Sequence, residues 1–155
     1  MNSHSRPLCF SRLFFLGGLL LGTLIAPPHA SAGLTIRVSI SSTNVQANNH
    51  SFEPSLSADG RFVAFGSDAR NLVVGDTNNT TDIFVHDRDA DGNGVFDESG
   101  GIATTRVNVS STGVQADGNS FAPSVSADGR FVAFGSDARN LVTGDTNGKR
   151  DIFVH

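Results

Sequence analysis

The sequence predicts an all-β fold of antiparallel strands, and three observations predict it. Short runs rich in β-branched and aromatic residues recur between turn residues. The block Ser57–Val73 (Ser-Ala-Asp-Gly-Arg-Phe-Val-Ala-Phe-Gly-Ser-Asp-Ala-Arg-Asn-Leu-Val) returns letter for letter at Ser126–Val142. No window after the first 32 residues shows a helical period.

Within one copy four pieces read as strands. Arg37-Val38-Ser39-Ile40-Ser41 alternates, and Arg106-Val107-Asn108-Val109-Ser110 is its copy. Phe52-Glu53-Pro54-Ser55-Leu56 leads to Asp59-Gly60, which can supply the positive φ angles of a two-residue hairpin turn. Arg61-Phe62-Val63-Ala64-Phe65 follows. Phe62 and Ala64 point one way and Val63 and Phe65 the other, so this strand needs cover on both faces. Phe65 and its copy Phe134 are expected in the core between successive units. Asp82-Ile83-Phe84-Val85-His86 closes the copy.

A shift of 69 residues lays Thr35–His86 on Thr104–His155, with 39 of 52 pairs identical. Periods of this kind mark repeat architectures. Four short antiparallel strands per repeat describe a β-propeller blade. The expected fold is therefore about two blades of four antiparallel strands: repeat 1 (35–86), an acidic loop (87–98) and repeat 2 (104–155). Closed propellers have about four to eight blades, so this propeller is expected to be incomplete, as a piece of a longer protein or as one copy of several in a ring. Open blade edges invite self-association, and the Arg37–Ser41 strand is expected to complete the second blade of a neighbouring copy.

The first 32 residues read as a secretory signal peptide. Arg6 and Arg12 precede an apolar run from Leu13 to Ile25, Pro27-Pro28 breaks it, and Ala30-Ser31-Ala32 offers a cleavage site before Gly33. This places the mature chain, 33–155, outside the cell or in the periplasm, with no membrane span once the leader is removed. The mature chain holds nine basic against 15 acidic residues, which speaks against nucleic acid, since phosphate binding needs clustered Lys and Arg. The single cysteine, Cys9, lies in the leader, so no disulfide is expected.

The Ser-Ala-Asp-Gly-Arg-Phe-Val-Ala-Phe block followed by Asp-Ile-Phe-Val-His resembles the WD40-like propeller repeats of TolB-type periplasmic proteins. The resemblance implies a β-propeller and a periplasmic or secreted setting. It does not extend to the TolB partners.

Between the repeats, Asp87-Arg-Asp89-Ala-Asp91-Gly-Asn93-Gly-Val-Phe-Asp97-Glu98 fits the calcium-loop spacing D-x-D-x-D-G-x5-E from Asp87 to Glu98. Oxygen ligands at alternate positions can converge on one ion when a glycine lets the chain turn between them. A second register begins at Asp89 and uses Asp91, Asn93 and Asp97, with Phe96 as an apolar anchor. It resembles thrombospondin type 3 and dockerin-type loops, and Glu98 or water would complete its shell. The second register is preferred. Calcium is the expected ion, with Asp87, Asp89, Asp91, Asn93, Asp97 and Glu98 as candidate ligands; the alternative is a solvated acidic hairpin.

Asp76 and Asn78 with Asp82, their copies Asp145, Asn147 and Asp151, and Asp68 and Asp137 read as turn caps. His86 and His155 read as satisfied histidines at strand ends. No G-x-S-x-G elbow or H-E-x-x-H helix is present, so no catalytic residue is assigned. The expected function is a non-enzymatic module that binds a protein or glycan; the alternative is a non-catalytic part of a propeller-bearing lyase, hydrolase or peptidase.

Overall fold

The described residues, 34–155, of this computed structural model contain seven β-strands and no helix. The expected signal peptide, 1–32, lies outside them. β1 (Ser51–Leu56), β2 (Phe62–Ser67), β3 (Asp82–Asp87) and β4 (Ala103–Arg106) form a four-stranded antiparallel sheet in that order. β5 (Ser120–Val125), β6 (Val132–Ser136) and β7 (Asp151–Val154) form a three-stranded one. The all-β expectation holds.

The β1–β2 connection is longer than the two-residue turn expected from Asp59-Gly60. Ser57 N–H donates to Phe62 O at 2.9 Å, so four residues lie between the closing pair. Only Gly60 takes a positive φ, 77°. The Ser57 hydroxyl donates to Asp59 Oδ1 (2.6 Å) and accepts from Phe62 N–H (2.9 Å), while Asp59 Oδ1 accepts from Arg61 N–H (3.0 Å). These side-chain bonds satisfy backbone groups that a tighter turn would pair directly. The copy Ser126–Phe131 repeats every one of them. Both β1 and β5 carry a bulge, with Glu53 (φ 53°) and Ala122 (φ 49°) in the left-handed region just before a proline. Proline is tolerated there because these strands lie at sheet edges.

The strand expected at Arg37–Ser41 does not form. Ile40 makes a single bridge to Gln46, as Val109 does to Gln115. The Ser41 hydroxyl accepts from Thr43 and Val45 N–H (3.2 and 3.1 Å), and Ser41 N–H donates to Val45 O at 2.8 Å, which folds the chain into a tight turn instead. The strand of this region lies three residues earlier than its expected copy, at Ala103–Arg106, and it joins the preceding sheet. Its register on β3 is Phe84↔Arg106, Val85↔Thr105, His86↔Thr104 and Asp87↔Ala103. The first residues of repeat 2 thus complete the sheet of repeat 1.

β2 is covered on both faces, as its sequence requires: Val63, Ala64 and Phe65 are all buried. On one face Phe65, Ala69, Leu72 and Phe84 cluster with Ala47 and Val73, all from repeat 1. The other face of the first sheet gives Ala64 and Ile83, flanked by Phe62 and Val85, to a cluster shared with Ala116, Phe134, Ala138 and Leu141 of repeat 2. Phe134 therefore lies between the two units as expected. Phe65 does not; it is buried within its own repeat. Since Phe134, Ala138 and Leu141 are the copies of Phe65, Ala69 and Leu72, one rule describes the stacking: the Phe-Ala-Leu face of a unit packs on the Phe-Ala-Ile-Val face of the unit before it. Phe62 seals the contact by lying on Gly129, where an added Cβ would stand 2.1 Å from its ring.

Candidate metal loop and sheet-closing cluster

Residues 88–102 connect β3 to β4, so the acidic loop is the hairpin that delivers the closing strand. Gly92, Gly94, Asp97 and Gly100 take positive φ values of 70°, 84°, 64° and 89°. Ala90 N–H donates to Gly101 O (2.6 Å) and Asp97 N–H to Arg88 O (2.8 Å), fixing the neck of the loop.

The six candidate ligands separate into two groups. Asp87 receives both arms of Arg61 at 2.8 Å each. Burial pushes its carboxyl up, but the Arg61 guanidinium and the Asp89 N–H outweigh that and hold it below the usual range. Asp97 is gripped by Arg88, at 2.5 Å from Nη2, and Arg88 stacks over Phe96 at 4.9 Å. The expected anchor Phe96 is thus a platform for an arginine.

Asp89, Asp91, Asn93 and Glu98 have no arginine partner among the described residues. Asp89 accepts from Gly94 N–H at 3.2 Å. Asn93 Nδ2 donates to both Asp91 Oδ2 (3.0 Å) and Glu98 Oε1, so one amide holds two carboxylates together, while Asn93 Oδ1 accepts from Val95 N–H at 2.7 Å. No group of three or more His, Cys, Asp or Glu side chains is set as a metal cluster among the described residues. Asp89, Asp91, Asn93 and Glu98 carry oxygen atoms and make no ion pair among the described residues, so these are the residues that could hold a hard cation. Turning over the Asn93 amide would add its oxygen, at the cost of the Val95 hydrogen bond. Asp87 and Asp97 do not suit one while their arginines hold them.

A second constellation was not legible as a site. Arg106, the last residue of β4, places Nη1 3.3 Å from both Asp76 Oδ1 and Asp82 Oδ2, whose side chains are 2% and 1% exposed. Burial, then the charge of Asp82, push the Asp76 carboxyl up, and Arg106 opposes them. Asn108 Nδ2 donates to Asp82 Oδ1 (2.6 Å) and Ser120 Oγ (3.1 Å), tying the sheets together. Asp76 is therefore half of a buried ion pair and not a turn cap; Asn78, whose Oδ1 accepts from Thr80 N–H at 3.3 Å, keeps the capping role. Asp68 accepts from the Thr81 hydroxyl (2.7 Å) and Asp137 pairs with Arg150 (2.9 Å). The signal that could have revealed the cluster is the retention of Arg37/Arg106, Asp76/Asp145 and Asp82/Asp151 in both repeats.

His86 lies near the end of β3 as expected, but it is fully buried. Thr104 Oγ1 gives its proton to Ile40 O (2.6 Å), so His86 Nδ1, 2.9 Å away, must donate to that hydroxyl. Nε2 is left without a partner among the described residues. Burial lowers the imidazole pKa below its ordinary 6.5.

Compared with known proteins, the chain matches no family model, no curated protein and no solved structure. No helix among the described residues is long and apolar enough to cross a membrane.

Proposed function

We propose that the chain is a secreted or periplasmic, non-enzymatic binding or scaffolding module made of β-propeller blades, with calcium stiffening the loop that delivers the closing strand. One observation carries the reading: three of the four residues of β4 belong to repeat 2 in sequence, and β4 belongs to the sheet of repeat 1 in space. Units that lend a strand to their neighbour form a stacked series, and such series present loop surfaces on a rigid frame. The leader supports export, and the excess of acid supports a partner other than nucleic acid.

Asp89, Asp91, Asn93 and Glu98 would hold the ion, which would offset their mutual repulsion when bound. Asp87 and Asp97 serve the same loop differently, by anchoring it through Arg61 and Arg88. Because the loop leads straight into β4, ordering it also positions Arg106 over Asp76 and Asp82.

A calcium titration of the secreted chain tests this reading, followed by thermal melting and calorimetry. Extracellular calcium modules bind on the order of 0.1–1 mM, so the titration must reach about 10 mM. Ligand at about 100 times its dissociation constant adds roughly 2.7 kcal/mol. The melting temperature should rise, less so with magnesium, and the Asp89→Ala/Asp91→Ala double variant should lose the response. No shift in the wild type at the top of the titration would reduce the loop to an acidic hairpin.

A further inference from the structure

Repeat 1 obtains its fourth strand and its buried cation from repeat 2, and repeat 2 has no such donor among the described residues. Subtracting the 69-residue period from β4 gives the segment that would do for β7 what β4 does for β3: Leu34–Arg37. All four of its residues are exposed. The edge it would cover is exposed as well. Ile152 and Val154 of β7 are 76% and 67% open, whereas their copies in β3 are fully buried (Ile83) and half-buried (Val85).

The polar groups make the same match independently. Both carboxylate oxygens of Asp145 are cut off from solvent with no hydrogen-bond partner among the described residues. Its copy Asp76 faces Arg106, and the copy of Arg106 is Arg37, which spends its guanidinium on the exposed Gln46 side chain at 2.6 Å. A cavity of about 420 Å³ lies beside Asp145, Asn147, Asp151 and Ile152; Asp145 and Asp151 are the copies of Asp76 and Asp82, which hold Arg106 in repeat 1. Another, of about 360 Å³, is bordered by Val109, Ser111, Val154 and His155. In repeat 1 the copies of three of those residues meet Thr104, which donates to Ile40 O and, through its N–H, to Ser42 Oγ at 2.9 Å, and accepts from His86. Thr35 is the copy of Thr104.

We propose that Leu34–Arg37 of a second copy of this chain adds to the β7 edge as a fourth strand, with Arg37 entering the Asp145–Asp151 pocket and Thr35 meeting His155. The register is Phe153↔Arg37, Val154↔Ile36 and His155↔Thr35. Strand addition of this kind satisfies an open ladder and reads side chains in pockets. The contact is head-to-tail, so it closes as a ring of copies or propagates as a filament. The stacking faces agree, because the open Phe131, Ile152 and Val154 face of repeat 2 copies the face of repeat 1 on which repeat 2 itself rests. The proposal rests on the blade reading and is independent of calcium.

The secreted chain, 33–155, lacks Cys9, the single native cysteine, and so permits a cross-linking test. Ile36→Cys with Val154→Cys should give a ladder of disulfide-linked multimers on oxidation, since facing strand positions lie within about 4.5–5.5 Å. Val45→Cys with Val154→Cys, an exposed pair outside the register, should give no ladder. Light scattering of the wild type should show a mass that grows with concentration, and Arg37→Glu should raise the concentration for half-assembly about tenfold or more. A monomer that melts cooperatively at every concentration would overturn the second copy and leave the blades standing. A cross-linked monomer, an equal ladder from the control pair, or an Arg37→Glu variant that assembles normally would also overturn it. A wild type without a cooperative melt would overturn both this proposal and the blade reading.

Discussion

Ile83 and Ile152 occupy the same position in two copies of one sequence, Asp-Ile-Phe-Val-His, yet the first is sealed and the second is 76% exposed. Phe62 and Phe131 differ in the same direction; the first is covered by Gly129 and the second is 51% exposed. The local sequence cannot be the cause, since it is identical. The cause is what lies next in space: repeat 1 has a following unit and repeat 2 has none among the described residues. Burial in this molecule is a property of the junction between units more than of the unit.

Disabling the junction should therefore cost more than disabling either repeat's periphery. Arg106→Ala leaves Asp76 and Asp82 buried without their cation, and should lower stability by about 3–5 kcal/mol. The matching change in repeat 1, Arg37→Ala, touches an exposed side chain and should stay within about 0.5 kcal/mol in dilute solution. Equal losses in thermal melting would mean that the ion pair does not hold β4 to its sheet. Ile83→Ala should cost about 2–5 kcal/mol by opening a cavity, and Ile152→Ala little in the same dilute conditions. Phe65→Ala and Phe134→Ala sharpen the comparison from the other side. Both rings are 3% exposed, so both should cost about 3–5 kcal/mol, and a large inequality would show that local cover and junction cover are not equivalent.

The strands β1, β2 and β3, with their copies, were legible because alternation, β-branched residues and turn residues are local signals. The β4 strand was not, because Ala-Thr-Thr-Arg is short and weakly patterned and nothing local says which sheet it joins. The expected Arg37–Ser41 strand failed for a related reason: its alternation is genuine, but the Ser41 hydroxyl gathers the next backbone amides into a turn. At the acidic loop, spacing alone singled out six oxygen ligands. It could not reveal that Arg61, 26 residues before Asp87, and Arg88, nine before Asp97, claim two of them. The register beginning at Asp89 leaves out Asp87, which Arg61 holds, but it needs Asp97, which Arg88 holds.

The smallest expected effect is a pH slope that belongs to one repeat only. Burial holds the folded His86 pKa below 6.5, so the unfolded chain takes up the proton first. Stability is then full above about pH 6.5 and falls as pH drops through that value towards the folded pKa. His86→Gln should flatten this slope in melts between about pH 7.5 and 5.5, and removing the exposed His155 should leave it in place. A slope that follows His155 instead would reverse the assignment.

The claim that a borrowed strand separates two otherwise equal repeats is tested most directly by amide hydrogen exchange in dilute solution. Peptides covering Asp82–Asp87 and Asp151–His155 carry the same Asp-Ile-Phe-Val-His sequence and so nearly the same intrinsic exchange rates. With β4 in place, Ile83 O accepts from Val107 N–H at 2.9 Å and β3 is paired on both sides. The first peptide should exchange slowly, near the limit set by global unfolding, and the second much faster, as frayed edges do. Equal protection of the two peptides in a dilute monomer would contradict the account.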